Sequence, residues 1–296
     1  MKKDDIIEYF VARGAEIAGT ASTGLLSGIV DGAPGIFLGA IHGTLITEVF
    51  KKVGKELRSR AVGDREMMRA GAAFTFALEK ISSKIEAGEQ VRSDDFFEDL
   101  EYSRSASTEI LEAILQFSQN EYEEMKVRHL GYLLGSIYFD TSIDRGRANF
   151  LVRLAERLSF RQLCLIQIFS NTEKYQLFEK YVPPVINDWF QGRYLQTINP
   201  HNLIYPSKSY AMYSVLSDRK MLLIHKPDLE IEINELKSLS VIDDEHPHSP
   251  VGYSSVKLSS IGSWLNTTMY LDQIEGEELE KISSLLRYKE QPYSSF

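Results

Sequence analysis

The stretch from residue 14 to residue 50 constrains the fold of this chain more than any other. Between its two flanking glutamates the only charged residue is Asp31, and most of the others are glycine, alanine, serine, threonine or large aliphatic residues. An Asp-Gly-Ala-Pro sequence at 31–34 predicts a turn, because proline disfavours helix at the residue before it and glycine tolerates most backbone angles. We therefore expect an apolar hairpin of two helices, at about 10–18 and 35–54.

The glycines of this hairpin recur every four residues on both sides of the turn. They are Gly24, Gly28, Gly32, Gly35, Gly39 and Gly43. Residues four apart share one face of a helix, and a glycine face lets two backbones approach closely, as in the GxxxG pairs of membrane helices. Each glycine costs about 1 kcal/mol relative to alanine inside a helix, so close packing must offset that cost. Asp31 and His42 are expected to face the packed interior rather than lipid.

Two interpretations of the hairpin remain open. Helices of about 16 residues are about 24 Å long, which is short of the roughly 30 Å of a bilayer core. In the first interpretation the hairpin is a pore or oligomer-core segment, which is buried between subunits and can also insert into a membrane. In the second it is a glycine-rich core hairpin that never meets lipid. Leucine at Gly28 or Gly39 separates them, because it should abolish membrane action in the first case and folding in the second.

The middle of the chain predicts amphipathic helices. Apolar residues recur at helical spacing on one face of each of two long segments. In the first segment these residues are Met67, Met68, Ala70, Phe74, Ala77, Leu78, Ile81 and Ile85, and in the second they are Met125, Leu130, Leu133, Leu134 and Ile137. Ser107 together with Glu109 predicts the start of a further helix between them. We interpret the apolar stripes as the core of a helical domain.

The C-terminal half predicts a winged-helix-like α+β domain. Two short helices, the first beginning with the apolar run from Phe150, are followed by a third that ends near Ile242. The chain then makes an excursion over 243–253 and returns as a short strand, as a β-wing does. A capped helix follows at once, and its Gly262 is expected where the helix packs closely on a neighbour.

This order of helices and wing leads into a Leu-Ser-x-Ile-Gly-x-x-Leu motif at 258–265. In order and motif the C-terminal half resembles the abortive-infection alpha-type proteins of bacterial phage defence. With the N-terminal hairpin added, the layout of the whole chain is similar to that of channel-like membrane effectors paired with nucleotidyltransferases, such as those of the Hailong type. The resemblance implies an oligomeric antiviral effector whose channel is gated by a nucleotide, with an oligonucleotide or cyclic nucleotide as the possible signal.

Charge argues against duplex DNA as a partner. The formal net charge is -9, and acidic residues outnumber basic ones from residue 200 onward. Basic residues gather instead at 126–161, where guanidinium groups could bind phosphates and nearby aromatic rings could stack bases. The candidate ligand-binding residues are Arg128, Arg145, Arg147 and Arg153. The alternative is that these arginines form surface ion pairs with nearby carboxylates.

No catalytic motif is present: the sequence has no GxGxxG, P-loop or GxSxG pattern and no paired-cysteine zinc signature. We therefore expect no enzymatic activity, no cofactor and no metal. Cys164 lies in an apolar run, which favours a buried thiol in a reducing cytosol.

The sequence as a whole predicts a mainly α protein with three parts. They are a glycine-zipper hairpin at 1–64, a helical domain at 65–143 and the winged-helix-like domain at 144–296. We expect a homo-oligomeric, pore-forming or membrane-disrupting effector that is cytoplasmic and associates with the inner membrane when active. The alternative is a soluble regulatory or interaction protein, in which the glycine face docks one helix on another and the winged-helix-like half binds a partner.

Overall fold

The computed structural model describes residues 6–19, 45–60, 63–177, 227–244, 253 and 256–287, and most of these residues are helical. In chain order the elements are α1 (Ile6–Ala18), α2 (Leu45–Arg58), α3 (Asp64–Glu86), a 3-10 turn (Asp95–Phe97), α4 (Ala106–Asn120), α5 (Glu124–Ile137), α6 (Arg145–Arg157), α7 (Phe160–Ser170), α8 (Pro227–Ser238), β1 (Ile242–Asp244), β2 (Val256–Leu258), α9 (Ser260–Thr268), a second 3-10 turn (Leu271–Gln273) and α10 (Gly276–Leu286). The prediction of a mainly α protein is confirmed.

The chain divides by packing into two units, and the first comprises residues 1–160 and 264–273. Its central element is α3, against which α1, α4 and α5 all pack. Every residue from Ala70 to Leu78 is buried, and a helix that is apolar on all sides needs neighbours on all sides. Helix α2 packs on α1 and α4, while α6 packs on α4 and α5.

The predicted apolar stripes form most of the core of this unit. Phe74, Leu78 and Ile81 on α3 are fully buried, as are the stripe residues of α5 from Leu130 onward. Met125 is an exception, since it is 46 % exposed at the start of α5. The predicted start of α4 was wrong by two residues: the N-cap is Ser105, whose hydroxyl accepts a hydrogen bond from the Thr108 amide. Ser105 takes this role because its hydroxyl lies next to the unpaired amides of the first turn.

The second unit comprises residues 161–263 and 274–296. In it α8 leads into the antiparallel pair β1 and β2, with Ile242 opposite Leu258. The hydroxyl of Ser259 then accepts a hydrogen bond from the Gly262 amide at the start of α9. A Cβ on Gly262 would lie 2.1 Å from the Val241 carbonyl oxygen, so the close approach predicted for this glycine is confirmed. Buried Cys164 on α7 also agrees with the sequence.

The β-hairpin therefore lies where the sequence predicted a wing. The tip of that excursion lies outside the described residues, and α6, the first helix of the predicted winged-helix order, packs within the first unit. The structure shows only the coarser part of this prediction, which is a short β-hairpin after a helix. The winged-helix interpretation remains a proposal, as do the three predicted domain boundaries.

Candidate functional site

The predicted pore and packing residues lie outside the described residues. They are Gly24, Gly28, Gly32, Gly35, Gly39 and Gly43, together with Asp31 and His42. The structure describes the two helices on either side of them, α1 before and α2 after. Both of these helices belong to the first unit.

A cluster of three phenylalanines, here called the aromatic anchor, joins these two flanking helices. Phe74 of α3 is fully buried at its centre. Phe10 of α1 stacks on Phe74 with ring centroids 4.9 Å apart, and Phe50 of α2 meets it edge-on at 4.7 Å. Aromatic pairs of this kind contribute about 0.5–1.5 kcal/mol each beyond the burial of their surface. Phe74 thus contacts both of the helices that flank the apolar stretch in the sequence.

Helices α1 and α3 cross at a pair of glycines, Gly14 and Gly71. A Cβ on Gly14 would lie 2.3 Å from the carbonyl carbon of Gly71, and a Cβ on Gly71 would lie 2.6 Å from the Phe10 carbonyl oxygen. Any side chain at either position would overlap backbone atoms, so the two helices can only approach this closely through glycine. This crossing joins α1 to α3 and does not involve the predicted glycine repeat at 24–43, which lies outside the described residues.

The four candidate arginines do not form one cluster. Arg128 on α5 is half-buried, and its Nε donates to the Tyr132 hydroxyl at 2.9 Å. That hydroxyl in turn donates to Glu79 at 3.1 Å. The guanidinium also lies 5.3 Å from the centroid of the Tyr132 ring. Arg128 is therefore part of a chain of polar contacts between α5 and α3.

Arg145, at the start of α6, forms a bidentate ion pair with Glu109 of α4; its Nε is 3.1 Å from Oε2. It lines a cleft of about 140 Å³ in the first unit, together with Arg92, Asp94, Asp95, Glu98 and Asp144. These lining residues include more carboxylates than guanidinium groups, and Glu109 already neutralises Arg145. An anionic ligand is not favoured in this cleft. Arg145 therefore forms an ion pair with a nearby carboxylate, as the alternative interpretation expected.

Arg92 forms the wall of the same cleft. Its side chain is buried, and Nη1 donates to the carbonyl oxygens of Ile143 at 2.8 Å and Ile137 at 3.2 Å. The Nε of Arg92 donates to Asp94 at 2.7 Å, and these hydrogen bonds lower the pKa of the Asp94 carboxyl. The guanidinium also stacks over Phe96 at 3.9 Å. Because its donors are used internally, Arg92 acts as a structural tie.

Arg147 and Arg153 lie on one exposed face of α6, which we call the α6 surface. It consists of Arg147, Phe150, Arg153 and Arg157, with Trp264 of α9 against it. The Arg147 guanidinium lies 4.3 Å from the centroid of the Trp264 ring, and its Nη1 donates to the Ser142 carbonyl at 2.7 Å. Phe150 is 49 % exposed and Trp264 is 36 % exposed. Within the described part of the chain, Arg153 and Arg157 have no hydrogen-bond or ion-pair partner.

The sequence reasoning missed the aromatic half of this surface. The sequence analysis named Phe150 only as the start of an apolar run, yet it shares the three-residue spacing of Arg147 and Arg153, which places it on their exposed face. The three-residue spacing could therefore have predicted that Phe150 lies beside the two arginines. No sequence pattern could have predicted the position of Trp264, because its contact with Arg147 joins residues far apart in the chain. The same holds for Phe74, whose two ring partners lie on separate helices.

The segment 264–273 returns to the first unit and packs on α5. His129 Nδ1 donates to the Met269 carbonyl at 2.9 Å, since a carbonyl can only accept, and the Ser136 hydroxyl donates to the Thr268 carbonyl at 2.7 Å. Burial lowers the pKa of His129 to about 4. The imidazole is therefore neutral at pH 7, and it ties the returning segment to α5.

The described residues contain neither a candidate metal site nor a helix that could span a membrane. No group of three or more histidine, cysteine, aspartate or glutamate side chains is arranged to hold a metal ion. None of the described helices combines the length and the apolar composition needed to cross a bilayer. No family model matches this chain, and neither a curated protein nor a solved structure is significantly similar to it.

Proposed function

We propose that this protein is a membrane-acting effector of bacterial antiviral defence, in which the apolar stretch at 20–44 disrupts the inner membrane or conducts ions across it. The aromatic anchor carries the proposal. A stretch with a single charged residue, Asp31, begins and ends on helices that contact the same buried side chain, Phe74. The two helices that flank this stretch are therefore joined within the first unit.

This arrangement suits a segment that enters a bilayer and returns. A hairpin held at both ends can insert without unfolding the helices that carry it, and helices satisfy their own backbone hydrogen bonds in lipid. The four-residue glycine repeat supplies a face on which neighbouring helices can pack where apolar collapse gives no driving force. Two short helices cannot enclose a channel, so the active form is a symmetric homo-oligomer.

The remaining helices hold the effector closed until a nucleotide or protein signal arrives. The order of α8, β1, β2 and α9 supports a winged-helix-like module for this regulatory role. The closed form is located in the cytoplasm, and the active form is located at the inner membrane. None of these assignments includes an enzymatic step.

The test is release of dye and potassium from liposomes by the purified full chain. We expect the parent to cause release and Gly39→Leu to abolish it, because leucine blocks close packing on the glycine face. Ala12→Leu is the matched control, since it introduces the same side chain at an exposed position of α1. Circular dichroism must show that all three proteins are folded.

Release by the parent and by Ala12→Leu, with none by folded Gly39→Leu, supports the membrane effector. No release by the folded parent with any lipid composition would overturn it and favour the soluble interaction protein. Loss of folded protein in Gly39→Leu alone would favour the core-hairpin interpretation.

A further inference from the structure

We propose that the α6 surface docks this protein on the anionic headgroups of a lipid bilayer. The inference rests on the proposed membrane action and adds the face through which the body meets the membrane. The α6 surface is the exposed side of one helix and one neighbouring tryptophan, all within the first unit. Three properties of that surface point to a lipid headgroup layer as its partner.

The first property is charge. Helix α6 carries four arginines and one glutamate in a chain of formal net charge -9. Most other arginines of this unit are neutralised: Arg65 pairs with Glu124, and Arg104 pairs with Glu112. Arg153 and Arg157 have no such partner among the described residues, so their charges face solvent. A local positive surface on an acidic protein favours the orientation that places it against an anionic layer.

The second property is the placement of the aromatic rings among these arginines. Phe150 lies between Arg147 and Arg153 along the helix and exposes half of its side chain. Trp264 is partly exposed, with the Arg147 guanidinium over its ring. Tryptophan and phenylalanine next to arginine are typical of the interfacial zone, where rings enter the headgroup layer and guanidinium groups meet phosphates.

The third property separates a bilayer from a single-stranded nucleic acid. Binding of unpaired bases needs a basic groove and aromatic faces open for stacking. The α6 surface is the outer side of a helix, and its residues do not line the described cleft beside Arg145. One face of Trp264 is already covered by the Arg147 guanidinium at 4.3 Å. A flat layer of headgroups needs neither a groove nor a free ring face.

Flotation with vesicles tests the proposal on the full-length protein. The parent should float with vesicles of phosphatidylcholine and phosphatidylglycerol and should not float with phosphatidylcholine alone. Each basic residue near an anionic surface changes partitioning about fivefold. Arg153→Gln with Arg157→Gln should therefore lower the partition coefficient about 20- to 30-fold, and added salt should remove most of the difference.

The control is Lys55→Gln with Lys174→Gln, which makes the same change in net charge at two exposed positions, one on α2 and one in the turn after α7. Its partition coefficient should stay within about twofold of the parent. Phe150→Ser keeps all charges and should weaken binding to anionic vesicles severalfold through loss of the inserted ring. Equal loss in both double variants would show that only net charge matters and would overturn the docking surface.

Flotation and dye release are separate readouts, so the two proposals can fail independently. Flotation that depends on the two arginines, without release of dye, supports the docking surface and overturns the proposed effector function. Release of dye by a protein whose flotation does not depend on Arg153 and Arg157 supports the effector function and overturns the docking surface. Arginine-dependent binding of a fluorescent single-stranded oligonucleotide, with no flotation, would assign the surface to nucleic acid and overturn the lipid proposal.

Discussion

The crossing of α1 and α3 at Gly14 and Gly71 yields a quantitative prediction for Gly71→Ala. The new Cβ would lie 2.6 Å from the Phe10 carbonyl oxygen and 2.7 Å from the Gly14 amide nitrogen. Overpacking a core costs about 1–3 kcal/mol, and this substitution belongs at the upper end because backbone atoms cannot move aside by rotation. Alanine regains about 1 kcal/mol of helix propensity. The free energy of unfolding should therefore fall by about 2 kcal/mol.

Gly146→Ala on α6 is the matched control for this prediction. It makes the same chemical change in a helix, yet its Cβ would meet nothing closer than an Asp144 carboxylate oxygen at 3.4 Å. It should leave stability unchanged or raise it by up to about 1 kcal/mol. Urea unfolding followed by circular dichroism measures both variants, and Gly71→Ala should also lower the Tm by about 4–8 °C. Equal stability of the Gly71→Ala variant and the parent would refute the close crossing.

Three further predictions concern the first unit. Phe74→Ala should lower the free energy of unfolding by about 3–5 kcal/mol, because it removes a buried ring that contacts both flanking helices; a loss under about 1 kcal/mol in urea unfolding would contradict the aromatic anchor. Burial lowers the pKa of His129 from 6.5 to about 4. Between these two pH values the unfolded chain binds a proton on this imidazole and the folded chain does not. The free energy of unfolding should therefore fall as the pH drops through this window, by at most about 3 kcal/mol from this group. His129→Asn keeps a donor without this titration, and identical pH dependence of both proteins would argue against a buried neutral imidazole. Arg92→Leu should cost about 2–4 kcal/mol, because two buried carbonyl oxygens lose their donor; an unchanged thermal melt would contradict the structural tie.

Local pattern was enough to predict the helices of the first unit. The apolar stripe of α3 follows helical spacing, and its residues from Ala70 to Leu78 are buried as expected. The β-hairpin after α8 was also predictable, since a short excursion with proline and glycine separates two apolar runs. Ser105 shows the limit of such reasoning at helix ends: two serines stand close together, and only the backbone path decides which of them caps α4.

Long-range contacts were beyond the reach of sequence patterns. Gly71 belongs to no glycine repeat, so nothing in the sequence pairs it with Gly14. Arg145 was grouped with Arg147 because they are neighbours in the chain, yet α6 turns them toward different surroundings: Arg145 pairs with Glu109, whereas Arg147 stacks on Trp264. The sequence grouped these arginines by their position in the chain, and their separate surroundings follow from the packing of α6.

Lipid exposure of the apolar stretch tests the central claim most directly. Cys164 is buried, so Ser27→Cys introduces a thiol inside the stretch for an environment-sensitive dye, and Ser59→Cys provides a control at an exposed position directly after α2. On addition of anionic vesicles, the account predicts that the dye at position 27 shifts to the blue and is quenched by spin-labelled lipid. The dye at position 59 should remain accessible to aqueous iodide. A dye at position 27 that stays equally accessible to iodide, with no quenching from lipid, would contradict the membrane effector.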